Sequence, residues 1–297
     1  MRKNMKNDRI DASAERYWID HSLISHYHAN PLRVNVVIIG SGADTDRLLY
    51  YGLLYNIYKA DQSIIYHIYG NSVDSTHICT DFDRMNGDKV VSHGNISENN
   101  VRQIGTVDRV VIMDRGEVFE PSEAGSFGEG VEIHRLRLCE DDGTSEEEKL
   151  AMELNYQYEC LYGSENPDVS DREERKRLCW ERLSDFAKAS NKAAVGYHNL
   201  RMQIIERRKN LRFECPQWEH MEMLSELEHI KWCRFHFLNG WKKGEMEGEK
   251  GKNEKKKTHS SLIPYAELSR EEKDKDREVI ELMFRIGERK SHPNIVE

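Results

Sequence analysis

The sequence predicts an α/β domain with a parallel sheet, followed by a mainly α-helical domain. In the N-terminal half, strand-like apolar runs alternate with helix-length intervals, which is the pattern of a parallel sheet. Beyond Gly163 the chain becomes polar, and then helical periodicity dominates with no convincing strand. We therefore expect a helical lead-in at 1–30, a parallel-sheet domain at 31–163, a linker at 164–174 and a helical domain at 175–297.

The elements of the first domain can be assigned in chain order. A helical pattern at 10–30 ends near Pro31, which breaks a helix. The run "RVNVVIIG" is unbroken and β-branched, as a strand buried on both faces requires. The other predicted strands are "SIIYHIYG", "KVVSHG", "VDRVVIMD" and "GVEIHRLRL". The predicted helices are "DTDRLLYYGLLYNIYKA" after the first strand and "SEEEKLAMELNYQYECLYG" at the end of the domain.

Composition narrows the function classes. The 297 residues are 38% apolar and 33% charged, and no run approaches the ~18 apolar residues that cross a bilayer. The N-terminal residues lack the apolar stretch of a secretory signal. The six cysteines form no C-x-x-C pair, so we expect a reducing cytoplasm and neither disulfides nor a metal site. The net charge of -9 argues against a dedicated nucleic-acid partner.

The turn after the first strand, "VVIIGSGADTDRLL", resembles a dinucleotide-binding loop. Gly40 and Gly42 have the spacing of the first two glycines of that fingerprint, where backbone amides approach a pyrophosphate. Thr45 stands where the third glycine belongs, and the second strand ends without the acid that would hold a ribose. A structural scaffold and a retained nucleotide site are both open. The candidate residues are Gly40, Ser41, Gly42, Asp44 and Asp114, the last of which can equally be a turn residue or an N-cap.

Residues 33–160 resemble the Rossmann-type nucleotide-binding domains that regulate potassium transport, known as TrkA-N domains. The resemblance rests on the strand–glycine turn–helix pattern that begins at "VVIIG". It implies a doubly wound parallel sheet and NAD as a candidate cofactor. The missing glycine and the missing acid are departures from the family pattern, and they put the cofactor in question.

The segment "LSELEHIKWCRFHFLNGWKKG", residues 224–244, has the pattern of an amphipathic helix closed by a glycine, with a carboxylate in its apolar stripe. Helical steps from Glu228 lead to Leu224, Trp232 and Phe235. Burial of an unpaired carboxylate costs several kcal/mol. Glu228 is therefore expected to be partnered, protonated or exposed to a polar cavity.

This helix and the following "KKKTHSSLIPYAELSREEKDKDREVI" resemble the RyR domain, the module repeated in ryanodine receptors and found in bacterial proteins. Upstream, "WERLSDFAKASNKAAVGYH" is similar to the segment that leads the bacterial copies, and the resemblance extends over about residues 175–290. Departures are Lys243, where an aromatic residue is common, and Ser260–Ser261 in place of a step that contains proline. The matching positions are Glu228, His229, Trp232, Gly240, Trp241, Lys257, His259, Pro264, Tyr265, Leu268, Asp276 and Arg277.

These positions combine chemistries that suit a nucleotide. Aromatic rings stack on purines, cations meet phosphates, and carboxylates accept from ribose or base donors. The expected ligand-binding residues are Glu228, His229, Trp232, Trp241, Lys257, His259, Tyr265, Asp276, Arg277, Ser190 and Asn191. Structural roles stay open for them. The tryptophans can be core residues, Glu228 can pair with Arg277 or with backbone amides, and Ser190 and Asn191 can cap the following helix.

The resemblance implies a non-enzymatic sensor of a small nucleotide-derived ligand, in bacterial signalling or antiphage defence. NAD, ADP-ribose and cyclic nucleotides are the candidate ligands, and a protein effector or a homo-oligomer is the candidate output. One alternative is an assembly protein that docks through Lys255–Lys257. The other is an enzyme that processes NAD(P) or a nucleotide. It is disfavoured because Glu228 and His229 diverge by about 100° on a helix, and because the sequence has no HExxH, Walker or Gly-x-Ser-x-Gly motif.

Overall fold

The computed structural model of the protein divides into two units. One contains Met1–Asp142 and His236–His259, and the other contains Gly143–Phe235 and Ser260–Glu297. These units differ from the expected domains at two places, because the helix at 145–162 belongs to the second unit and the segment 236–259 belongs to the first. The described residues are 2–70, 87–94, 104–113, 130–138, 145–163, 169–208, 218–245 and 251–291.

The first unit is built on a five-stranded parallel sheet with the order β3-β2-β1-β4-β5. The sheet confirms the predicted parallel α/β architecture. Each of the five predicted strands is present. The strands are β1 Arg33–Ile39, β2 Ser63–Tyr69, β3 Lys89–Gly94, β4 Arg109–Met113 and β5 Glu132–Leu136. The helices around them are α1 Arg2–Asp20, the 3-10 helix Leu23–His26 and α2 Ala43–Tyr55.

The middle strand, β1, is buried on both faces. Val36, Val37 and Ile38 of β1 are fully buried, as the unbroken β-branched run predicts. Trp18 of α1 contributes to the adjoining core. Its Nε1 donates to the Leu48 carbonyl oxygen of α2 at 2.7 Å, and its ring meets the Tyr66 ring edge-on at 6.2 Å.

The first unit also contains a three-stranded sheet with the order β6-β8-β7. Its strands are β6 Lys242–Lys243, β7 Lys252–Asn253 and β8 Thr258–His259. No strand was expected after Gly163, so this prediction was wrong. Each strand has only two residues, and so short a strand carries no alternation that a sequence pattern can detect.

The second unit is helical, as predicted. Its helices are α3 Ser145–Tyr162, α4 Arg172–Glu181, α5 Asp185–Arg207, α6 Trp218–Leu238, the 3-10 helix Tyr265–Glu267 and α7 Arg270–Ser291, with the last residues of α6 in the first unit. The helix α3 packs on α4, α5 and α7, which explains why it belongs here and not to the sheet. Trp180, Leu154 and Leu282 share one buried cluster of this core. Among the described residues, none of the helices is both long and apolar enough to cross a membrane.

Candidate functional site

Glu228 lies at the centre of a buried ion cluster in the second unit. Its Oε2 accepts from Nη2 of Arg201 on α5, and its Oε1 lies 2.6 Å from Nζ of Lys231, one turn along α6. Glu228 is only 2% exposed. The carboxylate is therefore partnered, which is one of the three expected outcomes. The observed partners are Arg201 and Lys231, and each of its oxygens already meets a cation.

Arg201 is held by neutral groups on its other side. Its Nη1 lies 3.2 Å from Nδ1 of His198, and its guanidinium carbon lies 5.4 Å from the centre of the Tyr197 ring. Burial, together with the Arg201 charge, lowers the pKa of His198 to about 3. His198 is therefore neutral at neutral pH, and its Nδ1 can accept from Arg201.

His229 bridges α6 and α7 of the second unit. Its Nδ1 lies 3.2 Å from Oδ2 of Asp276, and its Nε2 lies 2.8 Å from the Ile263 carbonyl oxygen. Burial opposes the charged imidazolium, but the Cys233 sulfur and the Asp276 carboxylate outweigh it and raise the pKa of His229 to about 11. This geometry suits an imidazolium, because a carbonyl oxygen can only accept and a carboxylate prefers to accept. Burial raises the pKa of Asp276, and the His229 charge opposes that shift.

Cys233 completes an arrangement that sequence reasoning missed. Its Sγ lies 3.3 Å from Nε2 of His229, so Cys233, His229 and Asp276 follow the order of a nucleophile, a base and an orienting acid. Burial raises the pKa of the Cys233 thiol, and the residue is only 2% exposed. Reactive cysteines are exposed and have lowered pKa values, so this thiol is packed as a structural group. The four-residue spacing of His229 and Cys233 on one helix is the signal that could have identified the contact.

Aromatic rings adjoin the His229 imidazole. Trp232 stacks near it, with centroids 5.7 Å apart and planes 20° apart, and Tyr265 lies at 6.0 Å. Lys273 Nζ lies 4.8 Å from the centre of the Tyr265 ring. Burial and the neighbouring Glu222 raise the pKa of Tyr265. Two of the three predicted stacking residues therefore lie beside the His229–Asp276 pair.

Arg277 follows Asp276 on α7 and lies in the same region. Its Nη1 donates to Oδ1 of Asp274 at 2.8 Å, and its Nη2 lies 3.6 Å from Oε2 of Glu222. Because Glu222 also adjoins Tyr265, the guanidinium connects to the aromatic cluster through one carboxylate. The structure thus brings together five predicted residues, which are His229, Trp232, Tyr265, Asp276 and Arg277.

Trp241, Lys257 and His259 belong to the first unit. Trp241 is buried and meets the His236 ring edge-on at 5.2 Å. The His236 ring also lies 6.1 Å from that of His259. Lys257 Nζ donates to the Asn239 carbonyl oxygen at 3.0 Å. Within this unit the three residues pack or bond around the turn that follows α6.

Ser190 and Asn191 lie inside α5 and do not cap it. The N-cap of α5 is Ser184, whose hydroxyl accepts from the Ala187 amide at 3.3 Å. The predicted capping role was therefore wrong, because the helix begins six residues before Ser190. Asn191 donates to the Ala187 carbonyl oxygen at 3.1 Å, as a residue within a helix can.

The glycine turn of the first unit has a packing explanation. A Cβ on Gly40 would lie 2.6 Å from Oγ1 of Thr45 and 2.7 Å from Met113, and a Cβ on Gly70 would lie 1.8 Å from the Gly40 carbonyl oxygen. Gly42 is the N-cap of α2 with φ 80 and no side-chain cap bond, a conformation that favours glycine. The close packing of the backbone at this edge of the sheet therefore requires these glycines, whether or not a nucleotide binds.

The other residues predicted to bind a nucleotide at this edge are less favourable to an anion. Asp44 and Asp46 lie in the first turn of α2, where their negative charge opposes a phosphate. Thr45 Oγ1 is buried without a hydrogen-bond partner among the described residues. Ser41 follows Gly40 in the turn, and Asp114 lies outside the described residues. A retained nucleotide site stays a prediction.

A comparison with protein-family models matches part of the chain. Residues 209–286 match the family model of the RyR domain. The match covers the region from α6 to most of α7, and with it Glu228, His229, Tyr265 and Asp276. It confirms the predicted RyR resemblance over that segment. The leading segment that contains Ser190 lies outside the match, and the predicted TrkA-N resemblance has no family match to support it.

The other comparisons add no relative. No curated protein and no solved structure matches the chain significantly. Across the residues that the structure describes, no group of three or more His, Cys, Asp or Glu side chains is placed to hold a metal ion.

Proposed function

We propose that the protein is a sensor that binds a small nucleotide-derived ligand in its second unit. The observation that carries this proposal is the position of two aromatic rings, Trp232 of α6 and Tyr265 of the 3-10 helix, beside His229. Asp276 and Arg277 of α7 lie in the same region. Aromatic faces suit a purine, a carboxylate suits ribose or base donors, and a guanidinium suits a phosphate. The RyR match over this segment supports the proposal by resemblance.

The roles of two predicted ligand residues change in this proposal. Glu228 has a structural role and does not contact the ligand, because Arg201 and Lys231 already bind its oxygens. His229 holds Asp276 in place through its Nδ1. Trp232, Tyr265, Asp276 and Arg277 are then the residues that contact the ligand. A role in bacterial signalling or antiphage defence stays a prediction.

A thermal-shift screen against NAD, ADP-ribose and cyclic nucleotides tests this function. A ligand that binds only the folded state stabilises it by about 2.7 kcal/mol at a hundredfold excess over its dissociation constant. We expect one of these compounds to raise the melting temperature of the full chain. Trp232→Leu should abolish that rise, because leucine keeps apolar volume but cannot stack on a base.

The control is Phe186→Leu, which alters a partly buried ring of the same unit that packs on Phe235 at 5.1 Å. It should lower the melting temperature without changing the ligand-induced rise. If no compound stabilises the chain and its mass grows with concentration, the assembly alternative replaces the sensor. If the purified chain consumes NAD or another nucleotide, the enzyme alternative replaces it.

A further inference from the structure

The ion cluster around Glu228 has more positive than negative charge. Among the residues that the structure describes, Glu228 is the carboxylate that bonds to both Arg201 and Lys231. The side chains of the three residues are exposed by only 3%, 1% and 3%. Within these described contacts, one negative charge is bonded to two positive charges, in an interior where a charge without a counter-ion costs several kcal/mol.

The neighbouring His229–Asp276 pair is neutral while it holds one proton between the imidazole and the carboxyl group. The raised pKa of His229 keeps that proton on the pair at neutral pH. In this state one net positive charge remains across Arg201, Lys231, Glu228, His229 and Asp276, whereas loss of the proton would let the Asp276 carboxylate, which interacts with the Lys231 charge, balance it.

The cluster also has hydrogen-bond donors to spare within the described part of the chain. Arg201 Nε is buried and has no hydrogen-bond partner there. The Lys231 ammonium has three N–H groups, and its contact is the Glu228 Oε1 at 2.6 Å. An unused guanidinium N–H and unused ammonium N–H groups, buried beside one carboxylate, are the complement of an oxyanion.

We infer that Arg201 and Lys231 bind the phosphoryl group of the ligand, and that this anion neutralises the cluster around Glu228. This inference deepens the proposed function and rests on it for the identity of the ligand. It adds to Arg277 two cations that sequence reasoning did not select, and Arg201 lies outside the RyR match at 209–286. The enclosure of both cations means that the phosphoryl group is buried when bound.

Removal of Lys231 tests the inference in the full chain. Lys231→Met leaves Arg201 and Glu228 as a one-to-one pair. In phosphate-free buffer we expect this variant to melt at a higher temperature than the wild type, because the uncompensated charge is gone. Inorganic phosphate should raise the melting temperature of the wild type and leave Lys231→Met unchanged. Lys149→Met, at an exposed lysine of α3, should behave as the wild type does, and Lys231→Gln is a second variant in case methionine packs poorly.

Three nucleotide arms separate this inference from the proposed function. Adenosine, AMP and ADP-ribose share a base, but adenosine has no phosphoryl group. Stabilisation by AMP or ADP-ribose that is greater than by adenosine, and that is lost in Lys231→Met, supports both. Equal stabilisation by all three overturns the inference and leaves the proposed function. Stabilisation by inorganic phosphate alone supports the anion site and overturns the proposal that the ligand is derived from a nucleotide.

One outcome contradicts the anion site outright. If the chain itself supplies a second carboxylate to the cluster, Lys231→Met and Lys231→Gln leave that carboxylate without a cation. Both variants then melt below the wild type, and inorganic phosphate stabilises none of the three proteins.

Discussion

The two units differ in how many carboxylates pair with the buried cations Arg109, Arg201 and Lys231. In the first unit, Arg109 is buried and Glu132 is its carboxylate partner at 2.5 Å, while the same guanidinium donates to the His21 carbonyl oxygen. Glu132 is itself 48% exposed, so water screens the pair. In the second unit, one sealed carboxylate, Glu228, serves two sealed cations. In the first arrangement one cation has one carboxylate, whereas in the second, among the described residues, two cations share one carboxylate and the Arg201 Nε has no partner.

Removal of one acid from each unit sharpens this comparison most strongly. Glu228→Gln should reduce the free energy of unfolding by about 3–5 kcal/mol, because it leaves two buried cations without a counter-ion. Glu132→Gln should cost less, because it deprives one buried cation of a half-exposed carboxylate, and Arg109 keeps its bond to the His21 carbonyl oxygen. Urea unfolding of both variants measures the difference. Similar costs would mean that the cluster around Glu228 is as well screened as the pair in the first unit.

A smaller effect concerns acid stability in the second unit. His198 has its pKa lowered from 6.5 to about 3 in the folded protein by burial and by Arg201. As the pH falls below 6.5, the unfolded chain binds a proton that the folded chain does not, so the stability falls between pH 6.5 and 3. His198→Asn keeps an acceptor for Arg201 and removes the titrating group. It should therefore lose less stability than the wild type between pH 7 and pH 4.5.

The first unit provides the control for that measurement. Burial and the neighbouring His93 lower the pKa of His67 to about 4, so His67 also reduces stability as the pH falls below 6.5. A His67→Asn variant should therefore also lose less stability than the wild type between pH 7 and pH 4.5. Its effect should be independent of the effect of His198→Asn. Identical pH profiles for the wild type and His198→Asn would contradict a neutral, buried His198 beside Arg201.

Local patterns in the sequence were sufficient for the main elements of the fold. Each strand of the large sheet follows from an apolar run with a recognisable period, and β1 is central because that run is apolar on both faces. The two-residue strands near Lys242 were missed because they are too short for any period. The start of α5 was missed because Ser184, and not Ser190, accepts the capping hydrogen bond.

The candidate site was predicted less completely, for a physical reason. The sequence identifies Glu228 as a carboxylate in an apolar stripe, and it gives His229, Trp232 and Tyr265 through the RyR resemblance. It cannot identify Arg201 as the partner of Glu228, because that contact joins two helices across 27 residues and depends on their packing. Charge balance in an interior is a property of such long-range contacts, so it is visible only in the structure.

Hydrogen exchange with and without ligand tests most directly which unit performs the recognition. The full chain is labelled in the absence and in the presence of ADP-ribose, and protection is measured by mass spectrometry. The account predicts slower exchange in peptides that cover 225–233 and 262–277 of the second unit, with no change at 39–47. Protection confined to the glycine turn at 39–47, or no protection anywhere, would contradict it.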